Sequence, residues 1–366
     1  MKTENITLNK IGILTYHHTT NFGSLLQTYA LYKSITNLGY VCEIIDYRNE
    51  AVEQREFVKK IYQCRGMREF KNYLQYSKYK KRKAEEFIRF LKDNFNVSPE
   101  TYYKSNIAQA NDRYDCFVVG SDLVWDFSIN EHDTTYMLDF VEERKSRIAF
   151  ASSVGSIWKE NEKDEVKKLL GRFDAIGTRE YAIQDELSRL LGKHVDFVCD
   201  PTMLLSPDEW DKLSSKQSIQ ENYVLCYMAD ESQSIYKDAL EYGKMHGLPV
   251  YLISYDWVPG TMKAIRPYRV EEFLSLIKYA DTVFTASYHG LLFSLYFNKN
   301  FYYYNRGWKE RMKSISTYLA LSNREHWTID KEGALIDYAL VNDKMDKFRK
   351  GSKEKLSMYL GKKAVL

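Results

Sequence analysis

One histidine, His289, follows a predicted strand at the position where parallel α/β sheets commonly place reactive side chains. Segment 281–298 (DTVFTASYHGLLFSLYFN) opens with an apolar, β-branched run, turns at 287–290 (SYHG) and continues as an apolar helix. The run Thr282–Ala286 predicts a strand covered on both faces. The turn then lies between a strand's carboxyl end and a helix's amino end, where backbone N–H groups and the helix dipole favour an anion. There His289 could exchange a proton near neutral pH. The alternative is structural: Ser287 caps the helix and His289 is a half-buried side chain.

Other polar turns follow predicted strands in the same way. Strand-like runs at 11–16, 114–119, 147–151, 174–177 and 195–199 each lead into small or polar residues. Because the carboxyl ends of parallel strands meet along one edge of a sheet, the side chains that follow them share a rim. The candidates at this rim are Asn21, Gly23, Ser24, Gln27, Gly120, Ser121, Asp122, Trp125 and Arg179. We expect His289, Arg179, Ser121 and Asn21 to line one crevice between domains.

The elements that position these residues predict an α/β fold with two Rossmann-like domains facing a cleft, an arrangement like that of GT-B glycosyltransferases. We assign residues 1–205 to a first domain, which contains a basic helical insertion at about 52–95. Residues 206–222 are a predicted linker, and 223–342 form a second domain that carries the His289 turn. Residues 343–366 are a predicted basic C-terminal helix. The first βαβ unit lacks GxGxxG, so the dinucleotide fingerprint is absent.

The composition argues against several functional classes. A formal net charge of +3 over 366 residues is too small to indicate nucleic-acid binding by itself. The five cysteines form no CxxC pair, and four lie in strand-like runs, which indicates free thiols in a reducing compartment rather than a metal site. The N-terminus has no apolar signal region, and no apolar run approaches the ~20 residues of a membrane span. We therefore expect a soluble cytoplasmic protein without a metal or other cofactor.

A basic, aromatic segment interrupts the first domain. Between Lys59 and Lys83 there are ten Lys or Arg residues and one Glu. They are interleaved with Tyr62, Phe70, Tyr73, Tyr76 and Tyr79, a combination that predicts weak, reversible contact with an anionic membrane. The alternative is a solvated or partner-covered helical face.

Five stretches together resemble one protein family. They are IGILTYHHTTNFGSLLQTYAL, YDCFVVGSDLVWD, RIAFASSVG, CDPTMLL and EEFLSLIKYADTVFTASYHGLLFSLYF, in order from residue 11 to about 304. In this combination they resemble the polysaccharide pyruvyl transferase family. The resemblance implies a GT-B-like fold. It also implies transfer of the pyruvyl group of phosphoenolpyruvate, as co-substrate, onto a sugar of a cell-surface glycan or its lipid-linked precursor, usually as a cyclic ketal.

This chemistry gives the donor-side candidates their roles. Ketal formation needs protonation of C3 of phosphoenolpyruvate, attack of sugar hydroxyls on C2 and departure of phosphate, helped by charge stabilisation of the donor's anions. We expect His289 to act as the general acid/base or to bind the donor directly, with Ser287 and Gly290 beside it. Some family members carry an arginine two residues before this histidine, where this chain has Ser287.

Arg179 is our candidate for that missing cation, since arginine binds carboxylate or phosphate through two parallel hydrogen bonds. A surface pair with Glu180 or Glu186 is the alternative. Arg306 and Lys309, which follow the predicted strand at 301–304, are further donor-binding candidates.

The remaining rim residues are expected on the acceptor side, each with a structural alternative. Asp122 is a candidate base for a sugar hydroxyl or a cap of the following segment, and Trp125 either stacks on a sugar or belongs to the core. Asn21 either contacts the acceptor or caps a helix. The full acceptor-side set is Asn21, Gly23, Ser24, Gln27, Gly120, Ser121, Asp122 and Trp125, and His17 and His18 are less favoured candidates for substrate contact.

Two other functions compete with pyruvyl transfer. One is a GT-B glycosyltransferase that uses a nucleotide sugar, and the other is a non-catalytic member of a glycan assembly complex. Residues 223–304 hold no obvious acidic ribose clamp beyond Asp230, Asp256 and the pair Glu271 and Glu272, which favours pyruvyl transfer over the nucleotide-sugar enzyme.

Overall fold

The computed structural model describes residues 10–58, 61–155, 158–306, 309–331, 333 and 335–361. The first half of the chain builds one parallel sheet in the order β3-β2-β1-β4-β5-β6-β7. Its strands are β1 (Lys10–Leu14), β2 (Val41–Tyr47), β3 (Val97–Tyr102), β4 (Cys116–Asp122), β5 (Ser146–Ser152), β6 (Ala175–Thr178) and β7 (Asp196–Phe197).

Helices cover both faces of this first sheet. They are α1 (Phe22–Asn37), α2 (Glu50–Glu56), α3 (Gly66–Asn94), α4 (Phe127–Asn130), α5 (Glu160–Gly171), α6 (Tyr181–Leu191), α7 (Pro201–Leu204) and α8 (Pro207–Leu213). Successive residues of β4 enter different hydrophobic clusters: Cys116 and Val118 pack on one side, Phe117 and Val119 on the other. This double coverage explains the near-continuous apolar runs in the sequence, because a buried parallel strand presents no face to water.

A second parallel sheet follows, in the order β10-β9-β8-β11-β12. Its strands are β8 (Val224–Tyr227), β9 (Val250–Ile253), β10 (Lys263–Ile265), β11 (Thr282–Thr285) and β12 (Asn300–Tyr303). Its helices are α9 (Ser234–His246), α10 (Val270–Lys278), α11 (Tyr288–Tyr296) and α12 (Lys309–Tyr318). In both sheets the strand order reverses at a central strand, the topological switch point where open α/β sheets bind ligands.

The two domains share a continuous core. Phe22 of α1 stacks on Phe273 of α10, with ring centroids 4.4 Å apart and planes 5° from parallel. The last helix, α13 (Tyr338–Tyr359), follows the second domain in sequence but packs against α7 of the first. The predicted α/β class with two Rossmann-like domains facing a cleft is therefore confirmed.

No helix in the described part of the chain is both long and apolar enough to cross a bilayer.

Candidate active site

A cavity of about 390 Å³ lies in the cleft, at the carboxyl ends of strands from both sheets. Its walls carry arginine, carboxylate, hydroxyl and imidazole groups. The first domain contributes Tyr16, Asn21, Ser24, Arg55, Glu56, Asp122, Leu123 and Ile129, and the second contributes Met228, Glu231, Ala286, Ser287, Tyr288, His289, Arg306, Arg311 and Met312. A mainly polar cleft at two switch points is the usual place for a substrate in this architecture.

Two helix amino ends point at this cavity. Asn21 caps α1: its Oδ1 accepts hydrogen bonds from the N–H groups of Gly23, at 2.9 Å, and Ser24, at 3.3 Å. Ser287 caps α11 and accepts from the Gly290 N–H at 3.2 Å. Both residues therefore cap helices, as the structural alternatives predicted, and both also line the cavity. The two dipoles favour a negative charge between them.

Gly23 allows the histidine to reach the cavity. A Cβ atom at position 23 would lie 2.0 Å from Nδ1 of His289, which no side chain could tolerate. The imidazole thus rests directly on the first turn of α1 and joins the two domains. Its Nε2 is 3.6 Å from Oδ2 of Asp200 and has no hydrogen-bond partner within the described residues. His289 is therefore buried at the cavity wall, with one ring nitrogen not yet committed to a hydrogen bond.

Arg179 lies behind the cavity wall rather than on its surface. Its Nη1 donates to Oδ2 of Asp200 at 2.6 Å and its Nη2 donates to Oδ1 of Asp122 at 3.3 Å. The guanidinium is buried against the ring of Tyr288, 4.9 Å from its centroid. Burial would lower the pKa of Arg179, but the two carboxylates outweigh it and raise the pKa above its usual value. This arginine joins the first-domain carboxylates to the His289 turn. Its Nε also lies 3.7 Å from Oε1 of Glu180, so the alternative ion pair with Glu180 is present, but it is buried rather than at the surface.

Asp122 is the carboxylate at the base of the cavity. It adopts a left-handed backbone conformation, with φ of 64°, and accepts a hydrogen bond from the Ser24 hydroxyl. Burial alone would raise its pKa, but electrostatic interactions with Arg179, His289 and Arg311 lower the pKa to about 2. The carboxylate therefore stays ionised near neutral pH, which makes it a weak proton acceptor and a strong electrostatic anchor.

Arg311 is a cavity cation that the sequence analysis missed. It lies on α12, with Nη1 3.6 Å from Oδ1 of Asp122, and its Nε has no hydrogen-bond partner among the described residues. Burial and the neighbouring charge of Arg179 lower its pKa. Unlike Arg179, it lines the cavity. The one available signal was its position shortly after the predicted strand at 301–304.

Glu56 and Arg55, on α2, are a second omission. Oε2 of Glu56 accepts hydrogen bonds from the Thr19 hydroxyl at 2.6 Å and the Thr20 N–H at 3.1 Å, and Arg55 approaches its other oxygen at 3.4 Å. These contacts hold a carboxylate at the wall of the cavity that His289 also lines. No local pattern marked α2, because its charged residues read as an ordinary solvated helix.

Several predicted residues lie outside the cavity. Trp125 is fully buried, and its indole Nε1 donates to the Tyr136 carbonyl at 2.8 Å. It therefore belongs to the core, and its ring is not exposed to stack on a sugar. Gln27 is also buried, donating to the Thr15 hydroxyl at 2.9 Å. A Cβ atom at position 120 would lie 2.3 Å from Cδ2 of Leu31, so the close packing of α1 on β4 favours glycine at this position.

The other candidates divide between the site and its surroundings. Ser121 is buried beside Arg179, at 3.3 Å from its Nη1. Arg306 lines the cavity, whereas the side chain of Lys309 lies outside the described residues. His17 and His18 pair with Asp46 and Glu53 and do not line the cavity. Of the four residues expected to line one crevice, Asn21 and His289 line the cavity. Arg179 and Ser121 do not, because both are buried behind its wall.

Nothing in this geometry indicates a metal ligand set. Within the described residues, no group of three or more His, Cys, Asp or Glu side chains is arranged to hold a metal ion.

The chain matches one protein-family model and is similar in fold to solved structures. A family model described as "Polysaccharide pyruvyl transferase" matches residues 21–307. The fold is similar to that of Arabidopsis thaliana UGT89C1 complexed with UDP-L-rhamnose, at 10% identity and a TM-score of 0.52, over 97% of this chain and 99% of that one. It is also similar to a Listeria monocytogenes protein provisionally assigned as a UDP-N-acetylglucosamine 2-epimerase, at 12% identity and a TM-score of 0.51, over 96% and 91%. No curated protein matches the chain in a sequence comparison. The structural likeness supports the GT-B-like fold.

Proposed function

The chain belongs to the polysaccharide pyruvyl transferase family, and from that premise we propose that it transfers the pyruvyl group of phosphoenolpyruvate to a sugar of a cell-surface polysaccharide or its lipid-linked precursor. The product is a ketal, and phosphate is released. The observation that carries this proposal is the meeting of two helix amino ends, His289 and Arg311 at one cavity. Such a site suits a small ligand with a carboxylate and a phosphate.

Some residues of the site bind the donor, and others transfer protons. Arg311 and the helix ends hold the donor's anionic groups, while His289 delivers a proton to the C3 methylene, which becomes a methyl group. A sugar hydroxyl then bonds to C2 and passes its proton to Glu56. A second hydroxyl of the same sugar then attacks C2 and passes its proton to His289, which replaces the proton given to C3. Phosphate leaves with the C–O bond electrons and carries away the proton held by Glu56, and the ketal ring closes. A positioned acid or base contributes about 10²–10⁴-fold in such steps.

Asp122 and Arg179 have supporting roles in this scheme. Asp122, held ionised, orients Arg311 and Ser24 rather than taking a proton. Arg179 fixes Asp200 next to His289, so the carboxylate lies 3.6 Å from the imidazole Nε2 in a set position.

The test is acceptor-dependent phosphate release from phosphoenolpyruvate, with mass spectrometry to detect a pyruvyl ketal on candidate glycans. We expect turnover without added divalent metal and in the presence of a chelator. His289→Ala should lower kcat by about 10²–10⁴-fold, whereas His194→Ala, on an exposed histidine paired with Asp196, should not. Near-normal turnover by His289→Ala would overturn the assignment of that residue, and turnover of a nucleotide sugar in place of phosphoenolpyruvate would overturn the reaction.

A further inference from the structure

The outward side of α3 carries apolar side chains in water. Met67, Phe70 and Leu74 are 70%, 39% and 59% exposed. Their spacing of three and four residues places them on one stripe of the helix. Lys71, Lys78 and Lys81 lie on the same stripe and are also exposed. We call these six residues, Met67, Phe70, Lys71, Leu74, Lys78 and Lys81, the outer face of α3.

The apolar patch continues into the segment before the helix. Ile61 and Tyr62, in a short 3-10 helix, are 47% and 75% exposed. Arg65, just before α3, and Arg68, in its first turn, are also exposed. Scattered exposed apolar residues are ordinary, but a contiguous group of this kind marks an interaction surface.

The opposite side of α3 is fixed against the body of the protein. Tyr76 is buried, Lys80 pairs with Asp256 at 2.7 Å, and Arg82 lies 4.3 Å from the ring centroid of Tyr268. These contacts reach the second domain and set the rotation of α3. The outer face therefore cannot turn inward without breaking them.

Lys83 strengthens this fixed orientation. Its ammonium lies 4.3 Å from the ring centroid of Phe22, 4.4 Å from that of Tyr255 and 5.2 Å from that of Phe87. Five aromatic residues are interleaved with the basic residues of this segment in sequence. Tyr62 and Phe70 are exposed, as membrane contact requires, whereas Tyr76 is buried and Tyr73 and Tyr79 are half-buried.

We propose that the outer face of α3 docks on an anionic phospholipid bilayer. The combination of groups favours this occupant over a folded protein partner. A bilayer accepts Met67, Phe70 and Leu74 among its acyl chains while long lysine side chains extend to the headgroup phosphates. Glu69 is the one acidic residue of segment 61–83, so the surface complements an anionic membrane.

Docking in this orientation would serve the proposed function, on which this step depends. The inner side of α3 and residues of α2 line a second cavity of about 590 Å³, which includes Tyr73, Tyr76 and Lys83. Arg55 and Glu56 belong to both this cavity and the candidate active site, so the two adjoin. A protein held by the outer face would keep this second cavity about one helix diameter, ~10 Å, from the headgroups, within reach of a lipid-linked glycan.

Vesicle co-sedimentation of the full chain tests the docking surface without any turnover. We expect binding to vesicles of phosphatidylcholine mixed with phosphatidylglycerol, weaker binding as salt rises, and little binding to phosphatidylcholine alone. The triple variant Lys71→Gln/Lys78→Gln/Lys81→Gln should lower the partition coefficient roughly 100-fold at low salt, from about 1 kcal/mol per cation. The triple variant Met67→Ser/Phe70→Ser/Leu74→Ser should also lose binding.

Two matched variants control for charge and apolarity elsewhere on the surface. Lys347→Gln/Lys350→Gln/Lys353→Gln removes the same charge from exposed positions of α13, and Ile329→Ser/Leu335→Ser removes exposed apolar side chains of the second domain. Both should bind like the wild type, and circular dichroism should show that all variants are folded. Absent binding, equal binding to neutral vesicles, or unchanged binding of the α3 variants would each overturn the proposal.

A second measurement separates this proposal from the proposed function. The α3 variants should retain wild-type phosphate release with a water-soluble acceptor and lose it with the same glycan anchored in anionic vesicles. Equal loss on both acceptors would overturn the docking role of these residues, even if pyruvyl transfer is confirmed.

Discussion

At the scale of single residues, Arg311 lines the cavity together with Arg55 and Arg306, whereas Arg179 lies behind the wall and is engaged by Asp200 and Asp122. Where some relatives of the family have an arginine before the histidine, this chain has Ser287, which caps α11 instead. We therefore propose that Arg311 reaches the donor from α12 and replaces that charge.

Replacing Arg311 tests this proposal. Arg311→Gln should lower kcat/KM for phosphoenolpyruvate by about 10- to 100-fold, the loss expected for one hydrogen bond to a charged group. Arg311→Lys should restore part of it, because the charge returns without the planar guanidinium. Arg269→Gln, which breaks an exposed pair with Glu272, is the control. Steady-state kinetics at varied donor concentration would contradict the role if Arg311→Gln left kcat/KM unchanged.

The ionisation of Asp122 predicts an acid limb in stability. Its pKa falls to about 2 in the folded protein, against about 3.9 in an unfolded chain. The ionised group therefore stabilises the fold fully above about pH 4, and this contribution, about 2 kcal/mol, is lost as the pH falls toward 2. Denaturant unfolding at several pH values should show a shallower acid limb for Asp122→Asn than for the wild type. Asp164→Asn, on the exposed side of α5, should keep the wild-type slope.

At the scale of elements, local periodicity predicted the strands that frame the site. The apolar run predicts a strand at Thr282–Ala286, and β11 spans Thr282–Thr285. The edge strand β3 was not predicted, because its sequence VSPETY contains a proline and a glutamate and does not alternate between apolar and polar residues. Helix α8 likewise lies inside the predicted linker at 206–222, where a capping box of Ser206 and Glu209 begins it.

The composition of the cavity was harder to predict than its location. Rim positions after strands are readable, because they follow directly from a parallel sheet. Arg311 and Glu56 reach the cavity from helices that are distant in sequence, and only the packing of the two domains brings them together. Trp125 shows the converse: a residue just past a strand end can turn into the core when its N–H finds a buried carbonyl.

The first turn of α1 offers a test at this scale. Gly23→Ala would place a Cβ 2.0 Å from His289 Nδ1, so the imidazole or the domain must move. A misplacement of about 1 Å at a reacting group costs about 10²-fold, and we expect a fall in kcat of that order. Gly351→Ala on α13 has open space around the new Cβ and should instead stabilise the helix by about 0.5–1 kcal/mol. Parallel assays and thermal melts would refute the steric argument if both variants kept full activity.

At the scale of the whole molecule, α13 connects the two domains behind the site. It follows the second domain in sequence, yet Arg349 Nε donates to the Met203 carbonyl at 2.6 Å and Lys355 pairs with Asp196 at 2.7 Å, both in the first domain. The Cys199 N–H donates to the Ser352 hydroxyl at 2.9 Å. Cys199 precedes Asp200, whose carboxylate contacts Arg179 and lies near His289. The tail helix therefore supports the backbone that positions the anionic part of the site.

Removing one hydroxyl from α13 tests that support. Ser352→Ala leaves the buried Cys199 N–H without its partner and should destabilise the protein by about 1–3 kcal/mol. Because the helix bridges both domains, we expect one cooperative transition shifted to lower temperature rather than a separate early melt of the tail. Ser357→Ala, one and a half turns further along the same helix and only half-buried, should be neutral or slightly stabilising. Equal Tm values for Ser352→Ala and Ser357→Ala in calorimetry would mean that the hydrogen bond between Cys199 and α13 does not stabilise the protein. The position of Asp200 would then depend on the first domain alone.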